Sequence, residues 1–348
     1  MSGPTDFVAL TGARLPIVQA PMAGFADVDL AVAAIAAGGI GSLPCAMLTP
    51  DQVVAQAQAV RAQATGPLNL NFFCHTLGPV PDEAAWRKAL APFYAEEGVA
   101  APTTPPPLRR PFDAAMAEAV EAVRPEIVSF HFGLPEPVLQ ARVRATGAIL
   151  FGNATNLAEA EWLARAGVDA IIAQGFEAGG HAGYFLAGHT PIGLTALVRE
   201  VSARIDLPVI AAGGIADAAG VRAAIAAGAA AVQVGTAYLL SPECRTSKAQ
   251  RTQMAAASAQ LTVITNLFSG GLARGLRNRL IEALGPVSPL APPFPFASAA
   301  LAPLRAKAEA DGRGDYSPLW AGQGVALVDA APAIEITQRL GQAALIEA

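Results

Sequence analysis

The chain has 348 residues, 53% hydrophobic and only 15% charged, with a formal net charge of −5, 33 glycines and 28 prolines. That length suits one large barrel with an appended element, or two ordinary domains, and a sizeable core is no difficulty. The absence of a Lys/Arg stripe argues against a nucleic-acid surface. The long uncharged stretches Leu30–Pro50 and Ala223–Pro242 are Ala- and Gly-rich and interrupted, so they read as buried strand–helix pieces rather than membrane spans, which need about 20 strongly apolar residues in a row.

In chain order, short apolar runs recur at Pro16–Ala20, Ile40–Leu43, Leu68–Phe73, Ile127–Phe132, Ala148–Phe151, Ala170–Ala173, Pro208–Ala212 and Ala231–Val234. Most are apolar at successive positions, the pattern of parallel strands covered on both faces. Between them lie helical segments at Asp29–Gly38, Pro50–Ala64, Pro137–Gly147, Gly193–Arg204 and Asp217–Gly228, and one that Asn156 is placed to cap, with Glu159 in its first turn. Alternating strand and helix makes an open doubly wound sheet or a closed barrel. Eight strands favour the (β/α)₈ TIM barrel.

This α/β reading gives a barrel over residues 1–240. A Pro-rich insertion at about 75–112, including Pro105, Pro106 and Pro107, is expected to lie over its mouth. Residues 241–348 read as a mainly helical C-terminal region that closes the site, its last helices returning to the barrel. Cys45, Cys74 and Cys244 form neither a disulfide framework nor a zinc pattern, and no metal is expected. Met1–Gly12 lacks a basic segment followed by an apolar run, so a signal peptide is not expected and the reading is cytoplasmic.

Barrels of this kind do their chemistry at the C-terminal ends of the strands and often hold phosphate after the seventh and eighth. Those ends here read Gly213-Gly214-Ile215-Ala216-Asp217 and Gln233-Val234-Gly235-Thr236. Glycine lets backbone N–H groups approach an anion, and following helix N-termini favour it. The first strand ends in Ala20-Pro21-Met22-Ala23-Gly24, a small bend able to lie against a flat ring. Asn71 and Gln174 offer amides to a heterocycle edge. After the sixth strand comes Gln174-Gly175-Phe176-Glu177-Ala178-Gly179-Gly180-His181-Ala182-Gly183, a glycine-rich loop able to wrap a cofactor. Its His181 is a candidate acid–base group. His131 and Phe72 are candidates for the substrate side, with a packed, structural His131 standing equally open. His75 and His189 read as loop residues.

These stretches, with Ser317–Gly324 (Ser-Pro-Leu-Trp-Ala-Gly-Gln-Gly), resemble the bacterial nitronate monooxygenases of the class I branch, in the same order along nearly the whole chain. The resemblance implies FMN and oxidation of alkyl nitronates such as propionate 3-nitronate by O₂ to a carbonyl product and nitrite. It further implies FMN contacts at Met22, Asn71, Gln174, Gly179, Gly214 and Gln233–Thr236, with His181 catalytic. The tyrosines of the family's substrate site have no evident counterpart: Phe294 and Phe296 occupy the stretch where tyrosine is expected. Rival readings are an NAD(P)H-dependent FMN reductase of the enoyl-thioester-reductase type and a non-catalytic flavin- or phosphate-binding barrel. An IMP-dehydrogenase-like enzyme would need a cysteine in the loop after the sixth strand, and residues 174–188 contain none.

Overall fold

The computed structural model describes residues 3–103, 108–186, 188–256 and 262–345. Pro105, Pro106 and Pro107 of the insertion lie outside them. In chain order the strands are β1 (Ile17–Gln19), β2 (Gly41–Pro44), β3 (Leu68–Phe73), β4 (Ile127–His131), β5 (Ile149–Ala154), β6 (Ala170–Gln174), β7 (Gly180–His181), β8 (Val209–Ala212), β9 (Ala231–Val234), β10 (Thr262–Thr265) and β11 (Ala273–Leu276). Eight of them pair in parallel in the order β1-β9-β8-β6-β5-β4-β3-β2. A parallel bridge between Val18 and Ile40, with Gln19 N–H donating to Ile40 O at 2.9 Å, brings β2 back to β1. The fold is therefore the expected (β/α)₈ barrel.

Alternation along each strand divides the buried side chains into two sets. Val18, Ile40, Ile127, Phe151, Ala170, Ile172, Ile210, Ala212 and Ala231 fill one cluster inside the barrel. Leu68, Leu70, Phe72, Val128, Phe130 and Leu150 join a second, between strands and helices. The N-terminal segment, read from sequence without an element, forms a helix, Pro4–Thr11, whose fully buried Phe7 enters the interior cluster 6.0 Å from the Phe151 ring. Barrel helices begin where short polar side chains cap free N–H groups: Thr49 Oγ1 accepts from Gln52 N, Asn156 Oδ1 from Glu159 N at 3.0 Å and Asp217 Oδ1 from Gly220 N at 2.8 Å.

The C-terminal third is mainly helical, as expected, and adds a small sheet that the sequence reading did not include. Thr262–Thr265 and Ala273–Leu276 form an antiparallel hairpin, and Gly180–His181 adds to it as a third strand, with Ala273 opposite His181. The β-branched run Thr262-Val263-Ile264-Thr265 is a strand signal of its own; Gly180-His181 is not, and tertiary pairing imposes its extended form. The insertion is also more ordered than a loop. Its helix Ala84–Glu97 packs against the helix Ser298–Ala310, and Trp86, Leu90, Phe93 and Tyr94 share one core with Leu267, Leu280, Leu304 and Tyr316. Insertion and C-terminal region thus form a single cap. The last helix, Ala333–Leu345, returns to the barrel against the helices Val28–Ala37 and Ala218–Ala226. No helix among the described residues is long and apolar enough to cross a membrane.

Candidate active site

A cavity of about 180 Å³ opens at the C-terminal ends of the strands, bordered by the cap. Its walls carry two contrasting surfaces, one of backbone and small residues and one of imidazole and aromatic rings.

The first surface lies at the ends of β8 and β9. Gly213 and Gly214 have φ of +122° and +70°, conformations that side-chain-bearing residues rarely adopt. A Cβ on Gly213 would stand 2.9 Å from Ala178 N, so the turn presses against the Glu177–Gly179 loop. The Trp320–Gly324 segment laces these loops together: Gly322 N–H donates to Thr236 Oγ1 at 2.9 Å, and Gln323 N–H to Glu177 O at 2.9 Å. Thr236 accepts that bond, and its own hydroxyl hydrogen has no acceptor among the described residues. Glu177 is occupied elsewhere. Its carboxylate accepts from Leu194 N, at 3.1 and 3.0 Å, and caps the helix Leu194–Ser202. The motif's only acid therefore holds structure and does not repel an anion in the cradle.

Above the cradle, Ala20, Pro21 and Met22 line the cavity, and a Cβ on Gly235 would stand 3.3 Å from Met22 Sδ. Asn71 donates to Ser129 Oγ at 2.9 Å, which leaves its Oδ1 as the acceptor offered to the cavity. Gln233 also lines it, and Gln233 Oε1 is buried without a hydrogen-bond partner. A buried bare acceptor is costly unless a ligand supplies a donor.

The second surface centres on His181. Pairing with Ala273 fixes its backbone, and Nε2 lies 2.8 Å from Ser269 Oγ on the turn of the same hairpin. Gln174 clamps the loop behind it: Nε2 donates to His181 O at 2.9 Å, and Oε1 accepts from Gly183 N at 2.8 Å and Asn153 Nδ2 at 3.2 Å. Gly183 is required here, since a Cβ would stand 2.2 Å from Asn153 Nδ2. Phe294 and Trp320 pack edge-on to the imidazole at 5.2 and 5.6 Å. Burial drives the His181 pKa well below 6.5, and the positive charge of Arg109 and the neighbouring His131 and His75 push the same way. Burial takes His131 down to about 4, against a hydrogen bond to the backbone of His181. Both rings are thus neutral at physiological pH, and a neutral imidazole can accept a proton.

The chain matches the family model described as nitronate monooxygenase over residues 6–342. The chain belongs to the nitronate monooxygenase family. Relatives named nitronate monooxygenase from Pseudomonas aeruginosa and Paraburkholderia phytofirmans are each 40% identical, over 96% and 97% of this chain and 97% and 94% of theirs. Among solved structures, a nitroalkane oxidase from Streptomyces ansochromogenes superposes with a TM-score of 0.88 at 33% identity, covering 97% of both chains. FabK from Thermotoga maritima is similar at a TM-score of 0.73 and 25% identity, over 97% of this chain and 94% of that one. Family membership makes the chain an oxidoreductase of a flavin-using family.

For this family member, most of the residues singled out from sequence converge on one cavity: Ala20, Pro21, Met22, Asn71, His131, Gln174, Gly179, Gly180, His181, Gly213, Gly214, Gln233, Gly235 and Thr236 all line it. Two do not. Phe72 points outward, where its ring lies 4.9 Å from Phe112 and 6.5 Å from Phe130, and its neighbour Phe73 lines the cavity instead. Period-two alternation from Asn71 carried that signal. Val234 is likewise buried against the helical layer, and only its carbonyl serves the site edge, accepting from Ala20 N at 2.8 Å. Gln174, expected at a heterocycle edge, commits its amide to the His181 loop. His75, read as a loop residue, is buried 4.8 Å from Phe294, and its Nε2 meets Arg109 O at 3.2 Å. His189 stays outside the main cavity, stacked on Phe176.

None of the four tyrosines lines the cavity. Tyr94 and Tyr316 belong to the cap core, Tyr238 bonds Thr337 and Tyr184 lies beside His189. Sequence reasoning missed Arg109, Phe73, Asn153 and Ser269. Asn153 and Phe73 follow from strand alternation; Arg109 and Ser269 are reached only through the folding of the cap.

Proposed function

We propose that the protein is an FMN-dependent nitronate monooxygenase that oxidises alkyl nitronates, propionate 3-nitronate among them, with O₂ to a carbonyl product and nitrite, in the cytoplasm. The observation that carries the reading is one cavity with a glycine-and-threonine anion cradle on one side and a buried, neutral imidazole on the other, in a chain that matches the family over nearly its whole length.

The residues present fit FMN. Gly213, Gly214, Gly235 and Thr236 would hold its phosphate through backbone N–H groups and one hydroxyl, as strand ends of such barrels do. Met22 and its neighbours would lie along the ring. Asn71 Oδ1 and the bare Gln233 Oε1 would accept from its heterocycle edge. Bound FMN supplies the acceptor for the electron that a nitronate gives up.

The protein's own work is positioning and proton control. With a neutral nitroalkane, His181 removes the α-proton, and its depressed pKa keeps the base form present at neutral pH. A preformed nitronate needs no base. The aromatic wall of Phe73, Phe294 and Trp320 restricts water around the reacting carbon. Two nitronates and one O₂ hold the atoms and charge of two carbonyls and two nitrites, so the reaction needs no external reductant.

Anaerobic mixing tests this. Ethyl nitronate should reduce the bound flavin, read as a change in its visible absorbance, and NADPH should not. Bleaching by NADPH alone would assign the fold to a reductase.

A further inference from the structure

Arg109 lines the cavity from the insertion that follows β3, and among the described residues it is the only Lys or Arg that does so. No Asp or Glu lines the cavity, and no ion pair or side-chain hydrogen bond engages its guanidinium among the described residues. What holds it is its backbone: the buried His75, wedged against Phe294, meets Arg109 O through Nε2 at 3.2 Å. Its charge is felt at the imidazoles of both His181 and His75, which places it on the His181 side of the cavity. The glycine cradle lies across the barrel, at β8 and β9.

A half-buried cation without a counter-ion loses hydration that nothing in the protein replaces, and an anion arriving with the ligand would offset that loss. The cradle already accounts for a phosphate. None of the four tyrosines lines the cavity, and the aromatic wall near His181 offers no other charge. A guanidinium presents parallel N–H donors that match a planar group with two oxygens, which a lysine does not.

We propose that Arg109 recognises a planar two-oxygen anion on the substrate, either the nitronate group itself or a carboxylate on the same molecule, and so sets which nitronates are taken. His75 is its positioning residue. The inference rests on the nitronate reading above and adds the group that selects among nitronates.

The test compares wild type with Arg109→Gln and Arg109→Lys, each loaded with FMN. KM and kcat are measured for ethyl nitronate and for the nitronate of 3-nitropropionate. Kd values for nitrate and for 3-nitropropionate are read from the perturbed flavin absorbance. Arg109→Gln should raise KM by at least ~10-fold, the scale of one charge-assisted hydrogen bond, with kcat changed far less. Arg109→Lys should recover part of the loss. A rise on both nitronates, with weaker nitrate binding, assigns Arg109 to the nitronate group. A rise confined to the carboxylate-bearing substrate, with weaker 3-nitropropionate binding, assigns it to the carboxylate. KM and both Kd values within about twofold of wild type would overturn the proposal. If wild type turned over no nitronate, the functional reading would fail, while the two Kd values would still decide whether Arg109 binds an anion.

Discussion

His181 Nε2 stands 2.8 Å from Ser269 Oγ, and the hairpin that carries Ser269 also pairs the His181 backbone through Ala273. The C-terminal region therefore sets both the main chain and the ring of the histidine, although the histidine itself belongs to a barrel loop. Cap and His181 loop are joined by this sheet, and a change in the cap should reach the imidazole.

The first prediction concerns that unit. His181→Asn should lower kcat with neutral nitroalkanes by ~10²–10⁴, the range of a lost general base. With preformed nitronates the loss should be much smaller. Ser269→Ala should reproduce the substrate-dependent pattern more weakly and displace the pH profile, because Ser269 acts through the ring. Equal losses on both substrate forms would contradict the assignment of His181 as base.

The second follows from burial of the histidines. His75, His131 and His181 all have pKa values lowered by desolvation, His131 to about 4. The unfolded chain binds these protons near pH 6.5 and the folded chain does not, so stability rises with pH across this window. Stability should be full above about pH 6.5 and fall progressively towards pH 4, with His131 contributing on the order of 2–3 kcal/mol. Urea midpoints measured from pH 4 to 8 check this. Activity on neutral nitroalkanes should hold through pH 6, since the base form of His181 persists below its ordinary range.

The third concerns the cradle. Gly213→Ala places a Cβ 2.9 Å from Ala178 N at φ +122°, and Thr236→Val removes the hydroxyl. Each should weaken FMN binding by ~10-fold or more, the scale of one charge-assisted hydrogen bond or of a strained residue. Fluorescence titration of the flavin-free protein measures it. Riboflavin, which lacks the phosphate, should bind wild type and Thr236→Val alike.

The fourth separates stability from function. Phe7→Ala empties the closed lower end of the barrel and should destabilise the protein by ~3–5 kcal/mol. kcat at a temperature where the variant stays folded should be unchanged, because Phe7 does not line the cavity.

Legibility in the sequence followed locality. The eight barrel strands were readable because each is a short apolar run bounded by glycine or polar residues, and the caps at Asn156 and Asp217 lie in the sequence itself. The cradle was readable because its residues follow β8 and β9 directly. Phe72 was misplaced by one position although alternation from Asn71 points to Phe73, and the Val234 side chain, between Gln233 and Gly235, faces the helical layer. Ser269, Arg109 and the Gly180–His181 strand were not readable: each owes its place to pairing between segments about 90 residues apart or, for Arg109, to the cap that the insertion shares with the C-terminal helices.

The proposed function requires a flavin phosphate held at β8 and β9 with the ring beside His181. Its most direct test is the absorbance of the purified protein with identification of what denaturation releases. A yellow protein yielding about one FMN per chain is the expected result, on the barrel's phosphate-site logic. A colourless protein that takes up no FMN, or one that releases FAD instead, would contradict it.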